Sequence, residues 1–180
     1  MNKRTIDAFE HAAEIVQAIP RGVLLTTKAD DEVNTMVIGW GHLGYVWSRP
    51  VFIAYVRTSR HTHDLLGRTG EFTVNIPDGA LRTDIFKVAG RESGRHMDKV
   101  AQLGLTLVEP EVVGAPGILE CPLTLECRVI YQQHFDEDAV PAFARENFYP
   151  ADVTDIDAGG NCYYHDIYFG EILASYVIEE

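Results

Sequence analysis

The sequence predicts a mainly β fold, an antiparallel barrel with peripheral helices. Three observations point there. Segments of strand length outnumber amphipathic helical ones. Turns, not regular crossover helices, separate them. The longest alternating run, Leu123 to Phe135, puts Leu123, Leu125, Cys127, Val129 and Tyr131 on one parity, the period of a half-buried strand. A doubly wound sheet would need a helix between successive strands.

The elements follow in chain order. Thr5 to Ile19 reads as an amphipathic helix, with Ile6, Phe9, Ala13, Val16 and Ile19 at three- and four-residue steps and Pro20 behind it. Val23 to Thr27 and Val33 to Trp40 read as strands joined by the polar turn Lys28 to Glu32, a hairpin. Val51 to Val56 is a continuous apolar run, expected to be buried on both faces. His63 to Arg68 is a short helix ending at Gly70, and Glu71 to Ile76 a strand stopped by Pro77. Leu81 to Val88 is a short helix, residues 89–98 a polar loop, and Lys99 to Leu103 one helical turn. Pro110 to Gly117 is a turn-rich connection. Residues 136–160 are acidic, with Pro141, Pro150, Gly159 and Gly160; they read as an irregular excursion with a helix turn near Phe143. Tyr163 to Val177 returns as one or two strands.

The chain has 180 residues, 46% apolar and 23% charged. Those values fit one globular domain over 1–180, with the helix of 1–20 at its start, and exclude disordered and collagenous chains. No apolar run approaches the roughly 20 residues of a membrane span, and Met1 to Glu10 lack the apolar block of a secretory signal. The net charge is −12, yet residues 49–99 hold nine basic and six acidic side chains. An acidic protein of this kind repels nucleic acid and anionic membranes. A locally basic stretch within it suits a small anion. Cys121, Cys127 and Cys162 are odd in number and form no CxxC, which points to reduced thiols and a cytoplasmic protein.

The stretch Arg57-Thr58-Ser59-Arg60-His61-Thr62-His63 follows a strand and precedes a helix. Phosphate needs several donors converging on its oxygens together with positive charge, and guanidinium forks, hydroxyls and free helix-start amides supply them. The same stretch also reads as a helix cap with solvated arginines. His61 and His63 would share a face in a strand, but no cluster of complementary spacing accompanies them, so no metal site is expected. His42, His134 and His165 are scattered and read as surface or hydrogen-bonded residues. GxSxG, the P-loop and HExxH are all absent. Gly39-Trp40-Gly41 offers close backbone approach beside an aromatic ring at a strand end, where a flat heterocycle could lie. The two glycines are equally simple turn residues on this reading.

The order of these motifs resembles a family. Asn34-Thr35-Met36-Val37-Ile38-Gly39-Trp40 comes first, then Trp47-Ser48-Arg49-Pro50, Arg57 to Thr62, and Gly70-Glu71-Phe72-Thr73-Val74-Asn75-Ile76-Pro77. Ser93-Gly94-Arg95-His96-Met97-Asp98-Lys99, Leu103-Gly104-Leu105, Glu120-Cys121-Pro122-Leu123, Leu125-Glu126-Cys127, His165-Asp166-Ile167 and Gly170-Glu171-Ile172-Leu173 follow. Over about residues 20–175 the sequence resembles the flavin reductase-like family of FMN-binding split barrels, near the flavoredoxins. The resemblance implies a six-stranded antiparallel split β-barrel, a homodimer, and one non-covalent FMN per subunit. It implies that Thr35, Met36, Val37, Ile38, Gly39 and Trp40 line the isoalloxazine. It implies that Arg57, Ser59, Arg60 and Thr62 hold the phosphate, with His61 among them. Asn75 would sit beside the cofactor; Ser93, Gly94 and Lys99 would approach from the polar loop, and Tyr164 and His165 from the return strand. With hydride chemistry on the flavin, no catalytic side chain is expected. Three functions stay open: an oxidoreductase passing electrons from NADH or NADPH to a flavin, ferric or protein acceptor; a flavoredoxin-type carrier served by a redox protein partner; and a non-enzymatic flavin-binding protein.

Overall fold

A computed structural model describes residues 2–152 and 162–179. Its strands are β1 (Asn2–Thr5), β2 (Val23–Ala29), β3 (Glu32–Ile38), β4 (Gly41–Val46), β5 (Arg49–Arg57), β6 (Glu71–Ile76), β7 (Leu107–Val108), β8 (Gly117–Ile118), β9 (Leu123–His134) and β10 (His165–Glu179). Its helices are α1 (Ala12–Ala18), α2 (His61–Thr69), α3 (Thr83–Arg91), α4 (Lys99–Leu103) and α5 (Ala142–Phe148). Eight strands form one antiparallel sheet in the order β3-β2-β6-β9-β10-β5-β4, with β1 also on β10.

β9 and β10 are the spine. Their long alternating sequences let β10 pair with β9 almost end to end and with β5 over its first half. Register shifts at Phe169/Gly170 and Ile172/Ala174 bend β10, as extra residues in a ladder do. The curved sheet encloses Phe52, Phe72, Val74, Leu125 and Tyr168, all at most 1% exposed. Each such side chain contributes about 1.5–3 kcal/mol on burial. A second cluster, Leu24, Ile85, Ala89, Leu103 and Ile118, packs beneath α3 and α4. That packing brings the α3–α4 connection against β3, an edge strand of the sheet.

Several expectations are corrected. The sheet has eight strands, not six. The N-terminal helix covers only Ala12–Ala18, because Asn2–Thr5 extends along Tyr176–Glu179 and the Asp7 carboxylate takes the Phe9 amide in a turn. β4 was not expected. It pairs with β5 through a two-residue turn at Trp47 and Ser48, both with positive φ, 50° and 58°. β5 alternates between buried and half-buried residues rather than being buried on both faces. α3 runs to Arg91, shortening the loop. α2 starts at His61 and stops at Gly70, whose φ of 64° suits a left-handed cap; His61 and His63 therefore lie on a helix, not a strand. The excursion carries a 3-10 turn (Glu137–Ala139) and α5 around Phe143. Its part at 153–160 lies outside the described residues.

Candidate functional site

Three segments meet at one pocket: edge strand β3, the β5–α2 loop and the α3–α4 connection. Met36, Ser59, Arg60, Thr62, Gly94 and Lys99 line it. His61, Arg91, Glu92 and Ser93 complete the wall. α2 begins within this lining, so its first-turn amides and the positive end of its dipole lie beside the pocket.

The charges there are unusual. Lys99 is 4% exposed. Its ammonium donates to the carbonyls of Thr35 (3.2 Å) and Ala89 (3.3 Å). Arg60 is half-buried and donates to the carbonyl of Gly90 at 2.5 Å. Among the described residues neither forms an ion pair with a carboxylate. Burial, reinforced by the Arg60 charge, pulls Lys99 down to about 8, and Glu92 offsets this only in part. Burial also lowers Arg60.

Neutral groups complete the pocket. The Asn34 amide donates to Thr62 Oγ1 at 2.6 Å, leaving the hydroxyl hydrogen for another acceptor. His61 Nε2 meets Glu32 Oε1 at 2.5 Å, while its buried Nδ1 makes no hydrogen bond among the described residues and lies 3.8 Å from Asp64 Oδ2. Arg95 donates to the carbonyl of Ser59 (2.8 Å) and to Asp64 (2.6 Å), tying the α3–α4 connection to the β5–α2 loop. The arrangement offers positive charge, a hydroxyl and helix-start amides, with little competing negative charge. The donor set suits a small multivalent anion, although the free space between these groups is about 10 Å³.

A second cluster stands nearby. The Trp40 ring lies 4.7 Å from that of His165, and Tyr149 stacks on Tyr164 at 4.2 Å, 10° from parallel. The Tyr149 hydroxyl, pushed up to about 12 by burial, shares a 2.7 Å hydrogen bond with His165 Nδ1. Burial first, then the charges of Arg57 and Arg60, pull His165 down to about 3, so it stays neutral near pH 7. Arg57 donates to the carbonyls of Tyr163 (2.6 Å) and Phe148 (3.1 Å) and sits 5.1 Å from the Tyr149 ring centre.

The structure thus brings Met36, Ser59, Arg60, His61, Thr62, Ser93, Gly94 and Lys99 together at one pocket. Trp40, Arg57, Tyr164 and His165 gather at the other cluster. Arg57 is not among the pocket's lining residues. Thr35 reaches the pocket through its carbonyl; its hydroxyl is turned to Thr26 and Leu25. Ile38 is in the main core, Val37 packs beside Gly90, and Gly39 leads to Trp40.

Asn75 stands apart. It is fully buried; its amide donates to Thr26 and Thr73, and its carbonyl accepts from the Ile118 amide and Thr124. Every polar atom of that side chain is engaged within the core, which makes it a polar hub between strands.

Asn34, Arg95 and Tyr149 are the residues that sequence reasoning missed. Asn34 and Arg95 stand inside quoted motifs, but only the fold gives them partners. Tyr149 carries no local signal. His63 and His134 both engage Asp166, at 2.8 and 2.6 Å. Among the described residues, no group of three or more His, Cys, Asp or Glu side chains is placed to hold a metal.

Comparison with known proteins fits this geometry. An uncharacterized protein of Archaeoglobus fulgidus is 47% identical over 111 residues, 62% of each chain. The chain thus spans about three fifths of that relative's length. The flavoredoxin of Desulfovibrio vulgaris (Miyazaki F) superposes with a TM-score of 0.64 at 26% identity, over 88% of this chain and 69% of that one. An FMN-binding domain of a flavin reductase-like enzyme from Shewanella baltica shares the fold, with a TM-score of 0.63 at 14% identity over 98% and 77% of the two chains. The fold is the mainly β antiparallel split barrel. The flavin reductase like domain model matches residues 16–180, and the chain belongs to that family.

Proposed function

We propose that this protein binds FMN non-covalently and acts as an oxidoreductase through it. One observation carries the reading: buried Lys99 and half-buried Arg60 converge on a single pocket without a carboxylate partner among the described residues. The FMN phosphate brings roughly two negative charges, and it fits what the pocket lacks. The His61 Nδ1, which makes no hydrogen bond, and the free hydrogen of Thr62 are further groups with unused capacity.

On this reading Ser59, Arg60, Thr62 and Lys99 hold the phosphate, and the start of α2 adds its dipole. Thr35 to Trp40, the end of β3 and the link to β4, lies along the flavin ring, with Tyr164 and His165 at its far side. FMN, when bound, supplies a ring that accepts hydride and passes electrons on. Trp40, Tyr149 and the neutral His165 shield that region from water without placing a charge there. NADH or NADPH is the proposed electron donor, and a flavin, ferric or protein acceptor takes the electrons. The likeness to a flavoredoxin supports a second reading, a carrier that exchanges electrons with a redox protein partner.

Two further proposals accompany this. A homodimer is supported by the exposed aromatics Tyr45 and Trp47, 65% and 66% accessible, which sit on the β4–β5 hairpin. A cytoplasmic location is supported by the free Cys121, Cys127 and Cys162. No helix among the described residues is long and apolar enough to cross a membrane.

The decisive measurement is a fluorescence titration with FMN and with riboflavin. A phosphate held by two or more charge-assisted hydrogen bonds, each about 1.5–3 kcal/mol, gives at least ~100-fold preference for FMN. Equal affinities would refute the reading. Steady-state oxidation of NADH and NADPH by the FMN-loaded protein then separates the enzyme from the carrier.

A further inference from the structure

Beside Trp40 the excursion after β9 folds back and borders an open cavity of about 490 Å³. Phe135, Val140, Ala144, Phe148 and Tyr149 line it with Trp40. Ala144 and Phe148, four residues apart on α5, present one apolar stripe to the cavity, and Val140 joins them from the extended segment before the helix. Phe143 is on the same helix but is not part of the lining and is 67% exposed.

We infer that this cavity is a binding site for a neutral, flat, largely apolar small molecule. Its volume lies in the range of small-molecule pockets, about 300–1,000 Å³. Its walls are rings: Phe148 meets Trp40 edge-on at 5.2 Å, and Phe135 stands 6.1 Å from His165. The polar groups around it are already engaged. The Tyr149 hydroxyl is bonded to His165. The Asp136 carboxylate accepts the Asp138 amide at 3.2 Å. The Arg145 guanidinium donates to the carbonyls of Glu137 and Val140. The lining side chains are mostly apolar, so a charged ligand would lose its hydration against carbon surface. An apolar ring gains buried area and edge or face contacts instead.

The far wall is held in place before any ligand arrives. Arg57 grips the Phe148 carbonyl at its base, and Tyr149 is clamped between the Tyr164 ring and His165. The inference goes beyond the flavin reading and does not rest on it. The two sites are adjacent through Trp40, but the cavity shares no lining residue with the anion pocket.

Equilibrium dialysis with N-phenyl-1-naphthylamine, a neutral aromatic probe, tests it. The wild-type protein should take up one probe per chain in a saturable way. Ala144→Trp fills the cavity from α5, and Val140→Trp from the segment before it. Each should weaken binding roughly tenfold or more, a loss of about 1.4 kcal/mol. Phe143→Ala should bind as the wild type does. Saturating FMN should leave probe uptake unchanged. The inference is overturned if the wild type shows no saturable uptake, as when a second copy of the chain closes the cavity. It is overturned equally if the two tryptophan variants bind like wild type, or if FMN displaces the probe. A protein that takes up the probe but not FMN refutes the flavin reading alone.

Discussion

The Lys99 ammonium donates to the Thr35 carbonyl at 3.2 Å, joining α4 to the edge strand β3 across a separation of 64 residues. Its other acceptor is the carbonyl of Ala89. Neutral carbonyls orient an ammonium but do not neutralise it. The nearby Arg60 makes matters worse, since its charge helps to lower Lys99. The fold therefore stores uncompensated positive charge at one point, and an anion placed there recovers part of the desolvation cost.

Arg60→Ala and Lys99→Ala should each weaken FMN binding by roughly 2 kcal/mol, the value of a charged hydrogen bond. If both cations touch one anion, their effects couple by more than about 0.5 kcal/mol in a double-mutant cycle. Arg82→Ala is the control. Arg82 pairs with Asp84 on the surface and belongs to no pocket wall. FMN dissociation constants at fixed ionic strength decide the matter. An Arg82 effect as large as that of Arg60 would mean a diffuse field rather than a site.

The lowered Lys99 gives FMN binding a pH dependence of known sign. In the folded protein Lys99 loses its proton near 8, against its usual 10.5. Between those values the unfolded chain binds more protons, so this residue makes the free protein more stable as pH rises from 8 toward 10.5. Below 8 the penalty is fully present. A bound phosphate reverses the preference and favours the charged form. FMN affinity should therefore be highest below pH 8 and fall above it, by up to about tenfold per pH unit. Riboflavin affinity should stay level, and Lys99→Met should flatten the FMN curve. Parallel FMN and riboflavin curves between pH 7 and 9.5 would contradict this role for Lys99.

Much of this was legible in the sequence, and the exceptions have physical causes. β6 alternates strictly and β9 does so from Leu123 to Arg128, and short turn signals bound them, so local pattern suffices. β1 is the polar tetrapeptide NKRT. Only its pairing with Tyr176–Glu179 makes it a strand, and nothing local encodes that partner. β4, GHLGYV, has two glycines and a tight turn without Asn-Gly or Asp-Gly, the usual hairpin signal. At the pocket, Arg60 and Thr62 were legible as anion-suited groups from charge and hydroxyl type, and Lys99 only through the family resemblance. Arg57 has the same chemistry, but it was drawn to the carbonyls of Phe148 and Tyr163 by a segment that sequence pattern could not place.

Asn75→Ala separates a cofactor contact from a structural hub. The substitution strands the Ile118 amide and the Thr124 hydroxyl inside the core. An unsatisfied buried group costs about 1–3 kcal/mol, so the midpoint of urea unfolding should drop clearly. FMN affinity, measured where the variant is fully folded, should change by less than about 0.5 kcal/mol. A large loss of affinity with unchanged stability would restore Asn75 to the cofactor's side.

Gly94→Ala probes the tightest contact in the pocket wall. A Cβ at Gly94 would lie 2.2 Å from Asn34 Oδ1, 2.8 Å from its Cγ and 3.1 Å from His61 Cδ2. Asn34 is 4% exposed, so it cannot swing into solvent to make room. To yield, it must release Thr62, whose hydroxyl it fixes at 2.6 Å. Overpacking of this kind costs about 1–3 kcal/mol, and the lost hydrogen bond about 0.5–1.5 kcal/mol more. Both stability and FMN affinity should fall. The cause can be isolated by repeating the substitution in an Asn34→Ala background, where the clash with the amide is gone. There, Gly94→Ala should cost less than in the wild type by more than about 0.5 kcal/mol in urea unfolding. An equal cost in both backgrounds would show that the glycine is needed for its seat against His61 and not for that against Asn34.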